Sequence, residues 1–326
     1  MIGILLVNLG TPDAPTTPAL RRYLREFLSD RRVVEIPPIL WWPILNGPIL
    51  LTRPARSARA YARVWMPEGS PLLVYSQRLA RGLQEIWDGE GAGRVQVELA
   101  MRYGNPSVAK GMQRLWDAGC RKILVVPLYP QYAAATTAST FDAVARTLMG
   151  WREIPALRLV RDWHNHPLYI ANLARSVREH WQAHGEPDRL LISFHGLPER
   201  CVALGDPYRS QCEHTTALLV EALGLDSERY LQTFQSRFGP AKWLQPYTDK
   251  TLEALGKAGV GRVDCLCPGF SADCLETLDE IAVEGRETFI EAGGGDMHYI
   301  PALNDDPQWI ADFARILAPH WQGWDD

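Results

Sequence analysis

Three short stretches of this chain occur twice in the same order, and this internal repetition constrains the fold more than any other feature. The first is an apolar run that ends in Gly and, two residues later, Pro. The second is an Arg–aromatic–Gly step, and the third is another apolar run after an Ala–Gly turn. Their positions are 4–12 and 190–198, 102–104 and 237–239, and 118–129 and 258–270. A shared order of three motifs predicts two copies of one structural unit, joined near residues 150–165.

Apolar runs of strand length alternate with amphipathic segments of helix length in both halves. This alternation is typical of βαβ units with a parallel sheet. Strands are predicted at 2–8, 95–101, 122–126, 157–160, 190–194, 231–235, 263–267 and 298–300, and helices at 17–28, 72–87, 107–118, 137–149, 168–183, 210–223, 248–257, 273–291 and 307–317. The predicted fold class is therefore α/β, with two similar doubly wound, Rossmann-type domains. Each domain is a parallel sheet flanked by helices, with a ligand cleft between the two.

The first copy carries a long insertion that the second copy lacks. We predict an N-terminal domain at 1–155 with an apolar insertion at about 31–70, and a C-terminal domain at 156–326 whose last helix packs back on the first domain. Residues 36–51 read IPPILWWPILNGPILL, and their four Pro and one Gly argue against one long helix. We name 36–51 the apolar lip. We expect it to be exposed, for a flat apolar ligand or a bilayer surface, although a buried-core role stays open.

Composition and charge narrow the functional class. The 326 residues carry a net charge of −4, which gives no reason to expect a nucleic-acid partner. None of the six Cys forms a CxxC pair, so free thiols in a reducing compartment are expected. The chain shows no signal-peptide pattern and no membrane-spanning run. We therefore expect a cytoplasmic monomer that can contact the inner face of a membrane through the apolar lip.

His195 directly follows an apolar strand and precedes a Gly and a Pro that turn the chain. The carboxyl end of a strand is where open α/β sheets build their sites. A neutral imidazole can accept a proton near neutral pH or bind a borderline metal. We interpret His195 as the metal-binding and proton-accepting residue of such a site. The competing interpretation is a structural or solvated His.

A row of carboxylates follows the matching strand end later in the chain. Glu276, Glu280 and Glu284 are four residues apart on one face of a predicted helix, and Asp273 joins that face. Residues 263–285 contain no Lys or Arg, so this is not an ordinary face of i,i+4 ion pairs, although a solvated acidic face stays open. The spacing is not that of a closed metal site. It suggests transient binding of a metal substrate rather than a metal cofactor.

Many short motifs, in order and spread over nearly the whole chain, resemble bacterial ferrochelatase. They are NLGTP (8–12), GSPL (69–72), RYGNP (102–106), PLYPQY (127–132), SFHGLP (193–198), GDPY (205–208), TFQSRFGP (233–240), WLQPYTD (243–249), CPGFSADCLETL (267–278) and PALN (301–304). The resemblance implies a chelatase-like fold and an enzyme. That enzyme is a lyase of haem biosynthesis, which inserts Fe²⁺ into protoporphyrin IX to give protohaem.

The resemblance also implies roles for individual residues. By motif, these are His195 and Glu276 as the catalytic and metal-binding pair, Asp273 and Glu280 as an outer acidic path, and Arg102, Tyr129, Trp41 and Trp42 around the porphyrin. Bending the macrocycle exposes a pyrrole nitrogen to the metal, at a cost drawn from binding energy elsewhere. Two pyrrole protons must then leave, and we expect His195 to be the base. Whether Glu276 places the iron or relays a proton stays open.

The chain departs from some relatives at its cysteines. It has no Cys after Cys274, so we expect no [2Fe-2S] cluster and no tightly bound cofactor, with Fe²⁺ as a substrate. Cys274 stands where some relatives have a second His, and a thiol there could bind soft metals instead. Three alternative functions stay open: a preference for coproporphyrin, a chelatase for another tetrapyrrole and metal, and a non-catalytic tetrapyrrole or metal carrier.

Overall fold

The computed structural model describes residues 1–89 and 94–324, which form two compact units. Unit 1 comprises Met1–Asp162 with Asp305–Asp326, and unit 2 comprises Trp163–Asn304. Each unit contains a four-stranded parallel sheet with helices packed against it. The predicted α/β fold with two helix-flanked parallel sheets is confirmed, whereas the predicted cleft between the units stays a prediction.

The sheet of unit 1 is built around a buried central strand. Its strands are β1 (Ile2–Thr11), β2 (Val95–Gly104), β3 (Lys122–Pro127) and β4 (Ala156–Leu159), in the spatial order β2-β1-β3-β4. All three pairings are parallel, and Leu6 of β1 lies opposite Leu99 on one side and Val126 on the other. Nearly every residue of β1 is buried. This explains its continuous apolar run, because a central parallel strand is covered on both faces.

The helices of unit 1 other than α2 each bury one face and expose the rest. Those before the first unit boundary are α1 (Thr17–Leu28), α2 (Pro38–Ile44), α3 (Leu50–Val64), α4 (Pro71–Gly89), α5 (Val108–Asp117) and α6 (Ser139–Leu148). Two π-helical turns, Leu45–Ile49 and Ala134–Ala138, precede α3 and α6. In α1 the buried set includes Leu20, Leu24 and Leu28, which lie four residues apart on one face.

Unit 2 repeats this arrangement. Its strands are β5 (Arg189–His195), β6 (Tyr230–Gln235), β7 (Arg262–Leu266) and β8 (Asp296–Ile300), in the order β6-β5-β7-β8. Its helices are α7 (Pro167–His184), α8 (Glu199–Ala203), α9 (Tyr208–Leu223), α10 (Thr248–Lys257), α11 (Leu275–Leu278) and α12 (Arg286–Glu291). A π-helical turn, Glu280–Gly285, lies between α11 and α12.

The chain then returns to unit 1 through α13 (Pro307–Leu317) and a 3₁₀ turn at Ala318–Trp321. Helix α13 packs against α4, and its Trp309 and Phe313 are fully buried. The ring of Trp321 lies 5.1 Å from that of Trp87. The C-terminal segment therefore completes the core of unit 1.

The two sheets correspond strand by strand, which accounts for the repeated sequence motifs. The Gly after each first apolar run is required by a close approach of the neighbouring strand. A Cβ on Gly10 would lie 1.9 Å from the carbonyl oxygen of Tyr103 in β2, and a Cβ on Gly196 would lie 2.6 Å from that of Gln235 in β6. Because Tyr103 and Gln235 lie on corresponding strands, the same constraint acts in both copies.

Two assignments differ from the sequence predictions, the end of unit 1 and the continuous helix at 273–291, whereas the lip is not one long helix, as predicted. Unit 1 extends to Asp162 rather than residue 155, because β4 pairs with β3 and belongs to the first sheet. The helix predicted at 273–291 is broken into α11, a π-helical turn and α12. The apolar lip is helical in two pieces, with Pro38 in the first turn of α2, where its missing N–H costs nothing. The break falls at Gly47, whose φ of −85° and ψ of −107° are not helical.

Candidate active site

His195 is the last residue of β5, and its side chain is only partly buried. Its Nδ1 lies 2.7 Å from the carbonyl oxygen of Gly196. A carbonyl oxygen can only accept a hydrogen bond, so Nδ1 carries the proton and the neutral ring keeps its lone pair on Nε2. The hydroxyl of Tyr208 donates to the His195 carbonyl oxygen at 3.0 Å. The backbone and the ring of His195 are thus both held, and Nε2 is the nitrogen that can accept a proton or a metal.

Gln235 connects the strand of His195 to the helix of Glu276. It lies opposite His195 in the pairing of β5 with β6. Its amide oxygen accepts a 2.7 Å hydrogen bond from Ser193, and its amide nitrogen donates a 2.7 Å hydrogen bond to the Glu276 carbonyl oxygen. Gln235 is buried, so these bonds are shielded from water. This amide sets the position of Glu276 relative to the end of β5.

Glu280 is held at the start of the π-helical turn by Ser236. The Ser236 N–H donates to Glu280 Oε1 at 2.7 Å, and the Ser236 hydroxyl donates to Oε2. Burial raises the pKa of Glu280, the Ser236 hydrogen bonds and the charge of His195 lower it, and the charge of Glu276 raises it again. The net pKa is raised. Gln235, the strand partner of His195, binds the Glu276 backbone, and Ser236, the next residue, binds Glu280. The structure therefore brings these three predicted site residues to one end of the sheet.

Asp273 does not join the acidic row on a helix face, as the sequence analysis expected. Helix α11 begins two residues later at Leu275, and Asp273 is buried. Its carboxylate accepts hydrogen bonds from the hydroxyl of Tyr299 at 2.6 Å, the hydroxyl of Thr277 at 2.8 Å and the side-chain amide of Asn304 at 2.7 Å. These bonds tie β8 and the loop after it to the start of α11. Asp273 thus holds the start of α11 in place, and the role of Glu280 in an outer acidic path stays a prediction.

Cys274 is buried at the N-cap of α11, where its backbone N–H donates to the hydroxyl oxygen of Thr277 at 3.0 Å. Burial raises the pKa of the Cys274 thiol well above its ordinary value, and the neighbouring charge of Glu276 raises it further. The thiol is therefore protonated at neutral pH. Since the thiolate is the metal ligand, this weakens the suggestion of a soft-metal contact at this position. All six cysteines are free, as expected.

The guanidinium of Arg102 already has an acidic partner in unit 1. Its guanidinium forms an ion pair with Asp30, and its Nε donates to the Ser139 carbonyl oxygen at 2.9 Å and the Ser139 hydroxyl at 2.6 Å. Burial raises the pKa of Asp30, but hydrogen bonds from Ser139, Arg32 and Tyr103 and the Arg102 charge outweigh it, so the pKa is lowered. Asp30 neutralises Arg102 inside unit 1. A role of Arg102 in binding porphyrin propionates stays a prediction.

Tyr129 and the two lip tryptophans also lie in unit 1. The Tyr129 hydroxyl is buried, and burial raises its pKa well above the ordinary value. Trp41 is partly buried, with its Nε1 donating to the Leu28 carbonyl oxygen at 2.6 Å, whereas Trp42 is 68% exposed. Their contact with a porphyrin stays a prediction.

Most of the apolar lip is exposed rather than part of a core, and only its Leu45 and Leu50 are buried. Helix α2 has no buried residue, and Ile39 is 84% exposed. The other exposed apolar side chains of the lip and the start of α3 are Ile36, Leu40, Trp42, Ile44 and Leu51. Such a contiguous apolar surface marks a binding site for an apolar ligand, a partner or a lipid surface. Among the described residues, no helix combines the length and the apolar character needed to cross a bilayer.

Sequence reasoning missed the supporting residues of the site. Gln235 and Ser236 lie inside the TFQSRFGP motif, but nothing in their spacing shows that one binds the Glu276 backbone and the other binds the Glu280 side chain. Ser236 has a φ of 64°, which only the folded backbone reveals. A polar pair at the carboxyl end of β6, next to the strand of His195, was the available signal.

Solved chelatase structures share this architecture and define the class. The structure of SirB from Bacillus subtilis with Fe³⁺ superposes with a TM-score of 0.56 at 13% identity, covering 99% of this chain and 97% of that one. The cobalt complex of the sirohydrochlorin chelatase SirB from Bacillus subtilis subspecies spizizenii gives a TM-score of 0.57 at 11% identity, covering 99% and 97%. At these identities the likeness establishes the fold alone, an α/β fold of the chelatase type.

Curated relatives identify the family. The ferrochelatase family model matches residues 1–320. Relatives named ferrochelatase are 58% identical in Azoarcus sp. strain BH72 and 56% identical in Aromatoleum aromaticum, each covering 99% of this chain and 88% of the relative. The chain belongs to the ferrochelatase family. This confirms the predicted family, the prediction that the protein is a metal chelatase enzyme, and the predicted reaction, insertion of iron into protoporphyrin in haem synthesis.

Proposed function

We propose that the chain inserts Fe²⁺ into protoporphyrin IX with His195 as the base and with Glu276 and Glu280 handling the metal and the released protons. One observation carries this assignment: the Nδ1 of His195 is held by the Gly196 carbonyl, so that its Nε2 lone pair is available beside two carboxylates. A base needs a free lone pair, and a metal substrate needs oxygen ligands that it can leave.

Iron insertion releases two protons, and His195 and Glu280 can accept them. Insertion forms bonds from iron to the pyrrole nitrogens and breaks two pyrrole N–H bonds. Nε2 of His195 takes a proton first, which makes the ring an imidazolium stabilised by the neighbouring carboxylates. Glu280 has a raised pKa, so it can accept that proton in turn and return the imidazole to its neutral form. Nε2 of the neutral His195 then takes the second pyrrole proton. Glu276 is held by Gln235 through its backbone, and its carboxylate, which lies next to the Cys274 thiol, binds Fe²⁺ on its way to the macrocycle.

The apolar lip supplies the binding energy that bends the macrocycle. A flat porphyrin shields its nitrogens in plane, so distortion must be driven by contacts made elsewhere on the ring. Exposed Trp42 and Ile39 offer such contacts. The same surface allows a peripheral contact with a membrane, from which an apolar substrate could be taken up. The proposal is completed by a monomeric state, a cytoplasmic location and the absence of a [2Fe-2S] cluster.

Turnover tests the proposal against a carrier function. The full chain is mixed anaerobically with excess Fe²⁺ and protoporphyrin IX, and the porphyrin absorption bands are followed. An enzyme converts many equivalents per chain and releases product. A change that stops at one equivalent per chain would support a tetrapyrrole carrier and remove the catalytic assignment. Parallel assays with coproporphyrin III decide which porphyrin the chain prefers.

A further inference from the structure

Three metal-ligating side chains meet at a place in unit 2 that the chelatase chemistry does not use. They are His180 near the end of α7, Asp264 in β7 and His298 in β8, and their ligand atoms all lie within 4.8 Å of one another. Asp264 is fully buried, and the two imidazoles are mostly buried. A pair of imidazoles with one carboxylate is a ligand set that Zn²⁺ and similar borderline cations use.

This cluster is separate from the candidate active site. Asp264 pairs with Leu190 near the start of β5, whereas His195 is the last residue of that strand. The two groups therefore lie at opposite ends of one parallel sheet. The cluster also joins three elements, because α7, β7 and β8 each contribute one ligand.

The hydrogen bonds of His298 leave a lone pair facing the carboxylate of Asp264. Its Nε2 lies 3.0 Å from Oδ2 of Asp296, and since a carboxylate accepts, Nε2 carries the proton. Its Nδ1 is then an acceptor, and it is buried without a hydrogen-bond partner 4.0 Å from Asp264 Oδ1. Two acceptors that face each other repel unless a cation lies between them. A carboxylate on the distal nitrogen of a ligating His is the usual second contact of such a ligand.

His180, on the helix side, also has a ring nitrogen without a hydrogen-bond partner near Asp264. Its Nε2 is buried without a hydrogen-bond partner and lies 3.6 Å from Asp264 Oδ2. Tetrahedral zinc with bonds of about 2.0–2.1 Å requires ligand atoms about 3.3 Å apart. Small side-chain rotations bring donors already within 4.8 Å to that spacing.

Asp264 has room for a cation beside the partners that hold it. Arg262 donates to Oδ1 at 2.8 Å and to Oδ2 at 2.9 Å, and Trp181 donates to Oδ2 at 3.1 Å. An ionised carboxylate offers about four acceptor positions, two on each oxygen. Arg262 and Trp181 occupy both positions of Oδ2 but only one of Oδ1, which is the oxygen facing His298.

We propose that His180, Asp264 and His298 bind a borderline divalent cation, of which Zn²⁺ and Co²⁺ are representatives, and that the bound cation ties α7 to β7 and β8. The site is structural, since it lies at the other end of the sheet from His195. Mg²⁺, which prefers oxygen ligands and octahedral water, is excluded by the two imidazoles.

Zinc binding to the full chain, freed of metal with a chelator and without porphyrin, tests this site. Equilibrium dialysis is run on a His195→Ala background, which reduces binding at the active site. We expect His298→Gln and His180→Gln each to bind Zn²⁺ at least tenfold more weakly than the background protein and to lose its Zn²⁺-dependent rise in melting temperature. His184→Gln is the matched control, because the His184 ring lies beside both others, 4.5 Å and 5.1 Å away, but outside the ligand set.

Two further measurements test the ligand set and separate this site from the active site. Co²⁺ bound to the background protein should give visible absorption bands that disappear in His298→Gln, and Mg²⁺ should not compete. In the chain that retains His195, His298→Gln should insert iron at the normal rate, which separates this site from the catalytic one. Equal zinc affinity and an equal melting-temperature rise in the background, His180→Gln and His298→Gln proteins would overturn the proposal.

Discussion

The side-chain amide of Gln235 donates a 2.7 Å hydrogen bond to the backbone carbonyl of Glu276. Gln235 is also the strand partner of His195, so a single buried side chain sets the position of the carboxylate relative to the end of the imidazole's strand. The two residues that we propose as the catalytic pair, His195 and Glu276, come from distant parts of the sequence. Their relative placement depends on a third residue that takes no part in the reaction.

Gln235→Ala should reduce iron insertion and stability together. It leaves the Glu276 carbonyl and the Ser193 hydroxyl without this partner, which costs about 1–3 kcal/mol. Displacement of Glu276 should lower kcat up to about 10²-fold. Initial rates and urea unfolding measure the two effects. Gln232→Ala, three residues earlier on β6 and only partly buried, is the control. An unchanged kcat in Gln235→Ala would mean that Glu276 does not depend on this bond.

His195→Ala should abolish most iron insertion while the porphyrin still binds. Loss of a general base typically costs about 10²–10⁴-fold in rate. Stopped-flow metallation measures the rate, and quenching of tryptophan fluorescence by porphyrin measures binding. His184→Ala, an exposed His on α7, should leave both unchanged. Near-normal turnover in His195→Ala would remove this residue from the mechanism.

Trp42→Asp should weaken the binding of porphyrin or of lipid vesicles more than it lowers the melting temperature. The side chain is already 68% exposed, so little core packing is lost. The loss of an aromatic side chain that is buried against a ligand costs about 1.5–3 kcal/mol of binding free energy. This corresponds to roughly a tenfold to hundredfold weaker affinity. Met149→Asp, at an 85% exposed apolar position outside the lip, should change neither affinity. A large drop in melting temperature with unchanged binding in Trp42→Asp would favour a packing role. The double variant with Trp41→Asp should show a larger effect.

The stability contributed by Glu280 should fall as the pH rises. Its folded pKa is raised above the ordinary 4.5, so the folded protein holds this proton more tightly than the unfolded chain does. Below about pH 4.5 the contribution is fully present, and it is lost as the pH rises through the folded pKa. Glu280→Gln cannot ionise, so wild type should lose stability relative to this variant over that window. Urea midpoints measured for both proteins between pH 4 and pH 8 test the sign. A difference that moves in the opposite direction would contradict the raised pKa.

Gly196→Ala should destabilise unit 2 and slow the reaction. The added methyl would lie 2.6 Å from the Gln235 carbonyl oxygen and 3.1 Å from the ring of Trp243. Overpacking of this kind costs about 1–3 kcal/mol, and relief would require β6 to move away from His195. Gly89→Ala, where a Cβ meets nothing within 4 Å, should be neutral or stabilising. Thermal unfolding of the two variants compares them directly.

Local patterns predicted most of the helices and strands. Helices α1, α10 and α13 have the predicted bounds, because apolar spacing and flanking Pro or Gly define them without reference to the rest of the fold. The repeated motifs predicted two similar sheets, because these motifs are also local patterns. His195, at the end of β5, was also found from a local pattern, an apolar run followed by a turn.

The missed features depend on contacts between residues distant in sequence. Asp273 was placed on a helix face, but hydrogen bonds from Tyr299 and Asn304 draw it into the interior before α11 begins. Arg102 has a buried acidic partner in Asp30, which no spacing rule connects to it. The boundary after Asp162 follows from the pairing of β4 with β3. Periodicity describes single elements, so it could not reveal any of these partners.

The return of α13 to unit 1 has a consequence for synthesis on the ribosome. Unit 2 is encoded entirely within the interval that interrupts unit 1, so it is complete before Trp309 and Phe313 have been made. Until those two rings arrive, the first unit to begin translation has an open apolar face on α4. During translation, unit 2 should therefore fold before unit 1, and it should become resistant to protease first.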